Sequence, residues 1–368
     1  MKKLLKIVET IRPTFDEGGK LGTFKPIFEA LENFLFSPST TTLTAPHVRG
    51  PLDVKRVMSM VIISLVPSIL AAAYFFGLRF FLMVIVTYVA GLSVEAIFAI
   101  VRKESINEGF FVTGFLFPLI MPPNVPLWMV ALGVVFGVFI GKELFGGSGR
   151  NVFNPALVGR CFLALAYPAK MSASWLSAGS GMTGRLFEYA SASTVDAVTS
   201  ATPLALAKQG EFVSLSRMFL GNISGSAGET SAIAIIIGGV FLLLTRVANW
   251  RTVASTLGAF VVLTAALMAG DAINYGQSGM LDAVLWQLCA GGLLFGAFFM
   301  ATDPVTSPTT NAGKWFYGIF IGSMTVLIRN FTGYVEGVTF AILLGNIVAP
   351  ILDEIVFAVR LRSLRSEG

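Results

Sequence analysis

Ten apolar segments divide this 368-residue chain, at 57–76, 80–100, 109–121, 127–141, 152–167, 232–245, 252–269, 280–301, 316–329 and 338–358. No other feature constrains the fold as strongly. A segment lying in hydrocarbon must satisfy its own backbone hydrogen bonds, and a helix does so within itself. The pattern predicts an all-α integral membrane protein with about ten transmembrane helices. The third, fourth and fifth segments are shorter than the roughly 20 residues that cross a bilayer. Composition agrees, since 13% of residues are charged where soluble proteins carry about 25%.

The net charge of +5 does not mark a nucleic-acid surface, because the basic residues lie at the ends and in short loops between apolar runs. With the N-terminus inside, 19 of 26 Lys/Arg fall on the cytoplasmic side. Six fall outside, four of them in the long loop 168–231, and Arg160 lies within a span. Both termini are therefore expected in the cytoplasm and loop 168–231 outside it. No cleavable signal peptide is apparent, so residues 1–55 read as a cytoplasmic extension and 360–368 as a cytoplasmic tail.

Cys161 and Cys289 both sit in apolar segments, and His47 is the single histidine. An iron–sulfur cluster takes about four thiolates, a zinc site takes a Cys/His set, and a bis-histidine haem takes two imidazoles. One chain of this composition supplies none of these. Electron transfer here would use organic cofactors or metals held by partners.

A shift of 186 residues superimposes Pro118 on Pro304, Pro122 on Pro308, Phe145 on Phe331, Gly147 on Gly333 and Gly159 on Gly345. Five spans per half, 56–167 and 232–359, is an odd number, so the halves would be inverted in the membrane. Two stretches read as helix breaks, Phe117–Asn124 and Thr302–Pro308. Non-helical backbone at membrane depth belongs beside a cavity or inside protein. A flat aromatic cofactor between the halves would fill such a cavity.

Three motifs carry the chemistry. Asp196-Ala197-Val198-Thr199-Ser200-Ala201-Thr202, followed by Pro203, reads as a helix start with Thr202 at the N-cap and Pro203 at the first helical position. Free amides at such a start suit a phosphate. The stretch Gly141–Asn151 continues through Phe153-Asn154-Pro155-Ala156. Its glycines make either a tight turn or a bare-backbone approach for a ring, next to Phe145 and Phe153. It lacks the preceding strand and the G-x-G-x-x-G spacing of a dinucleotide site. Phe299–Thr306 is the third. Among acids within or beside spans, Glu95, Glu143, Asp303 and Asp353 are candidates for an ion path, because an intramembrane carboxylate is costly unless paired or hydrated. Pairing of Glu143 with Lys142 or Arg150 is the plain structural alternative.

These motifs, together with Gly225–Ser231, resemble the NqrB/RnfD family over about residues 45–358. Its members are the B-type subunits of the sodium-translocating NADH:quinone oxidoreductases and their Rnf counterparts. The one departure is Ser200, where the Rnf branch has Gly. The resemblance implies FMN bound covalently to Thr202 as a phosphoester, with Asp196, Thr199 and Ser200 completing the attachment signature. It implies a second, noncovalent flavin (riboflavin), quinone as substrate, sodium as the transported ion, and a bacterial inner-membrane location. Gly146, Gly147, Phe145 and Phe153 are the expected ring-binding residues. No side chain is assigned a catalytic role. Implied partners are a flavin/iron–sulfur NADH-oxidising subunit, a second FMN-carrying subunit, small membrane subunits, and a flavin transferase that needs an exposed acceptor. Two alternatives stay open: an RnfD-type, ferredoxin-linked subunit, and a urea- or ammonium-type permease.

The topology is testable. Ser180→Cys, in a chain without Cys161 and Cys289, should react with an impermeant thiol reagent added to intact cells. Labelling only after membranes are broken contradicts the assignment.

Overall fold

The structure is a computed structural model. It describes residues 54–103, 109–173, 201–271, 279–332 and 337–367, with scattered positions elsewhere (12, 13, 15, 22, 28, 175, 176, 178, 179, 184, 186 and 273). The described residues form helices and no strand. The first group is α1 (Val54–Phe76), α2 (Leu78–Arg102), α3 (Gly109–Ile120), α4 (Leu127–Gly141) and α5 (Pro155–Ala166). Three short helices follow: α6 (Pro168–Ala173), α7 (Pro203–Lys208) and α8 (Leu215–Leu220). The second group is α9 (Ala232–Leu244), α10 (Trp250–Ala269), α11 (Met280–Cys289), α12 (Leu293–Phe295), α13 (Asn311–Phe331) and α14 (Val338–Glu367). A π-helical turn, Gly296–Met300, continues α12.

Among the described residues, five helices are long and apolar enough to cross a membrane, or six when the bent pair α11–α12 is taken as one span. Helices α3, α5 and α9 are apolar but shorter. The segment read from sequence as one span at 280–301 is in fact broken, with a 65° bend between Cys289 and Leu293. Gly291 takes the bend with φ +63°, a value that favours glycine. Large apolar side chains such as Ile63, Leu70, Ile85, Val89, Val262 and Ile355 point outward, as expected of surfaces facing lipid or other subunits.

Within the first group, α2 packs on α3 and α4, α4 on α5, and α3 on α1 and α5. In the second group, α10 packs on α11 and α13, α13 on α14, and the α12–π segment on α9 and α14. The two groups meet where α1 lies against α9 and α5 against α14. Small residues bring the backbones together, as they do between helices in lipid. A Cβ on Gly137 of α4 would fall 2.3 Å from the Pro155 carbonyl oxygen, and one on Gly322 of α13 would fall 2.3 Å from that of Thr256.

Where helices stop inside this bundle, arginines take up the free carbonyls. Beyond α3, Arg79 donates to the carbonyls of Pro123, Asn124 and Val125 at 2.7–3.1 Å. At the end of α11, Arg329 donates to the carbonyls of Gln287 (3.0 Å) and Ala290 (2.9 Å). The last helical carbonyls of a helix have no partner within it, and deep in an apolar bundle water does not supply one.

Candidate functional sites

Two sites emerge, one at the bend of the broken segment and one at its C-terminal end. The larger is an open cavity of about 820 Å³, counting its mouth. Its apolar walls include Met58, Val61, Leu116, Leu242, Val247 and Phe299. Its polar edge comes from two stretches far apart in sequence: Lys142, Ser148, Gly149, Asn151 and Asn154 on one side, and Thr302 and Asp303 on the other. An apolar slot with a few convergent polar groups is the usual form of a small-molecule site.

Local structure explains the polar edge. Asn154 caps α5, its Oδ1 accepting from Ala156 N at 3.0 Å, and Pro155 occupies the first helical position. Asn151 Oδ1 accepts from Gly149 N and its Nδ2 donates to the Phe153 carbonyl, which fastens the glycine loop to itself. Asp303 Oδ1 accepts from Val305 N at 3.0 Å and so holds the turn after the π-helical segment.

The expected ring-binding pair is differently placed. Gly146 and Gly147 have φ of +107° and +93°, and neither lines the cavity. Their neighbours Ser148 and Gly149 do. A Cβ on Gly147 would meet Arg102 Nη1 at 3.4 Å and Glu143 Oε2 at 4.0 Å. Phe145 is exposed and meets Phe153 edge-on, with ring centroids 6.2 Å apart.

The four acids also fall into distinct settings. Glu143 is buried and paired with Arg102 at 2.7 Å, and Arg102 also donates to the Glu143 carbonyl oxygen. The alternative partners considered for Glu143, Lys142 and Arg150, are not its partners. Instead Lys142 pairs with Glu95, and the two side chains are 6% and 4% exposed. Asp353 accepts four hydrogen bonds, from the backbone N–H and hydroxyl of both Thr309 and Thr310, which ties α14 to the start of α13. Asp303 alone among the four borders the cavity.

The second site surrounds Thr202. As the sequence pattern predicts, Thr202 is the N-cap of α7: its Oγ1 accepts from Ala205 N at 3.3 Å, and Pro203 follows at the first position. The hydroxyl is not exposed as expected, because the residue is only 5% accessible. A small cavity of about 280 Å³ beside it is lined by Pro203, Leu204, Ser224, Gly225, Glu229 and Gly291. Asp196, Thr199 and Ser200 lie outside the described residues.

The segment 221–231 builds the wall of this small cavity and enters the bundle to do so. Gly228 N donates to the Leu119 carbonyl at 2.7 Å and Ala227 N to that of Met121 at 3.1 Å, completing the end of α3. Arg160 of α5 then holds it from below, with Nη1 3.0 Å from Glu229 Oε1 and Nη2 3.2 Å from Ser226 Oγ. Glycine at 292 leaves room for this carboxylate, since a Cβ there would sit 2.3 Å from Glu229 Oε1 in its present position. Sequence reasoning passed over Arg160 and Glu229 as site residues. The available signal was a charged residue inside an apolar run, which demands a buried partner.

Arg160→Met strands the Glu229 carboxylate and should destabilise the fold by about 3–5 kcal/mol, measured by unfolding in mixed detergent micelles. Adding Glu229→Gln should recover part of that loss. An additive double variant contradicts direct coupling.

A match to the NQR2, RnfD, RnfE family covers residues 41–361. The chain is 39% identical to the B subunit of the Na(+)-translocating NADH-quinone reductase of Azotobacter vinelandii, over 96% of this chain and 97% of that protein. It is 38% identical to the corresponding B subunit of Klebsiella pneumoniae, over 99% and 100% of the two chains. Against that of Pseudomonas aeruginosa it is 36% identical, over 98% of each.

Proposed function

This chain belongs to the NQR2, RnfD, RnfE family, and from that membership we propose that it is the B subunit of a sodium-translocating NADH–quinone reductase. In this reading it carries covalent FMN on Thr202 and a noncovalent flavin in the large cavity. Electrons from partner subunits pass through these to quinone, coupled to sodium export across a bacterial inner membrane. The observation that carries the cofactor reading is the convergence of the glycine loop and the Thr302-Asp303-Pro304-Val305 turn on one cavity.

The residues fit a flavin. Apolar walls suit the faces of a fused ring, and Asn154 and Lys142 offer donors along an edge, while the Thr302 hydroxyl, which donates to the Phe298 carbonyl, offers an acceptor. Asn154 spends its oxygen on the α5 cap, leaving the amide nitrogen to donate. When bound, a flavin supplies a ring that takes up and passes on electrons. The protein's part is to hold that ring and exclude water with Val61, Leu242 and Phe299.

At Thr202 the cavity is too small for a whole flavin, so the ring of an attached FMN would lie outside it. Attachment makes an ester between Oγ1 and the FMN phosphorus of FAD, with AMP leaving and the hydroxyl proton lost to a base of the transferase. Because the folded hydroxyl is buried, the transferase would act before α7 settles against Glu229 and Gly291. Helix α7 has only six residues, so local amides and the covalent bond hold the phosphate, with little macrodipole behind them.

We read the two helix groups as an inverted repeat of five spans each, with α11, α12 and the π turn together forming one broken span. The recurrence of the same five helix pairings in both groups supports this. The basic-residue distribution supports both termini in the cytoplasm, which sets the large cavity on the cytoplasmic side and Thr202 on the opposite one.

Thr202→Val keeps the shape of the side chain and removes the oxygen. It should abolish in-gel flavin fluorescence of the denatured chain and stop electron flow to quinone, while the complex still assembles. A fluorescent band in the valine variant moves the acceptor elsewhere.

A further inference from the structure

Lys142 occupies an unusual position. It lines the large cavity, yet its ammonium is bonded to Glu95, a carboxylate buried on α2. The adjacent acid–base pair is self-contained: Arg102 takes both the carboxylate and the carbonyl of Glu143 and lies over the Phe98 ring, 5.0 Å from its centre. Lys142 is thus the cationic residue in the cavity's lining among the described residues, and Glu95 is its counter-ion. Asp303 is the acid that borders the same cavity.

Resting on the cavity's assignment to a noncovalent flavin, we propose that Lys142 is the positioning residue that reads the charge of the bound ring, dividing its ammonium between the ring's electron-rich edge and Glu95. Uptake of one electron from a reduced carrier in a partner protein, without a proton, would add one negative charge beside Lys142. In a site of low dielectric that charge attracts the ammonium far more strongly than it would in water. Lys142 keeps its three protons and no covalent bond changes. The ion pair with Glu95 loosens as the contact to the ring strengthens. Glu95 therefore sets how freely the ammonium is available, and the pair together sets how readily the ring accepts the electron.

The two side chains must then act with opposite sign. Lys142→Met removes the positive charge and disfavours the reduced ring, so its midpoint potential falls. Glu95→Gln frees the ammonium and removes a nearby negative charge, so the potential rises. Damage to packing moves both variants in the same direction.

The experiment is a redox titration of the noncovalent flavin in the purified complex for wild type, Lys142→Met, Lys142→Arg and Glu95→Gln. Acid extraction separates released flavin from flavin held by the chain. Opposite shifts for Lys142→Met and Glu95→Gln, with Lys142→Arg near wild type, support the inference. So does a reduction-induced infrared carboxylate band that disappears in Glu95→Gln. Potentials that do not move, or move together, with the flavin retained overturn the inference and leave the cavity assignment standing. If Lys142→Met fails to retain the ring, Glu95→Gln decides: an upward shift supports the inference and no shift overturns it. Wild-type complex that releases no flavin overturns the cavity assignment and this inference with it.

Discussion

Broken helices in an apolar bundle oblige the protein to supply hydrogen-bond partners of its own, and the arrangement of the site at Thr202 follows from how it does so. Three arginines meet the need. Arg79 gathers the carbonyls beyond α3, Arg329 those at the end of α11, and Arg160 draws the segment 221–231 inward so that its amides complete α3. Each is buried, and each would be expensive to bury without these contacts. The breaks are where non-helical backbone reaches bundle depth, and non-helical backbone there lines cavities. The cavity at Thr202 lies where Arg160 and Arg329 act: Arg160 holds Glu229, which lines it, and Arg329 bonds the carbonyls just before Gly291.

A single stretch, Gly291 to Val305, joins the two sites. Gly291 borders the cavity at Thr202, and Phe299, Thr302 and Asp303 border the large one. Between them lies the π-helical turn, with the Phe295 and Phe299 rings 4.9 Å apart. π-Helical turns collect at functional sites because they re-aim side chains that a regular helix would point elsewhere. Here the turn brings Phe299 to the cavity.

Much of the helix pattern was legible in sequence because long apolar runs permit few other structures. The segment 127–141 is a helix at its expected bounds, whereas the helix that starts at Val338 continues past the expected end at 358 to Glu367. The N-cap at Thr202 was legible too, since Thr-Pro is a local signal that needs no tertiary context. The bend at Ala290–Gly292 was not, because the apolar run is continuous across it and the kink depends on Arg329, some 40 residues away. The partners of Lys142 and Glu143 escaped for the same reason: adjacent residues diverge to Glu95 and Arg102, about two turns apart on the same face of α2. Glycine at 146 and 147 was visible, but whether it serves a turn or a ligand depends on φ and on what lies beside it.

The central claim is that this chain is itself a flavin carrier, and intact-protein mass spectrometry tests it most directly. The chain purified from cells that contain the flavin transferase should exceed its sequence mass by one FMN phosphoester, and digestion with trypsin should place that increment on the peptide 186–208, which contains Thr202. An unmodified chain from such cells, or an increment on another peptide, contradicts the account.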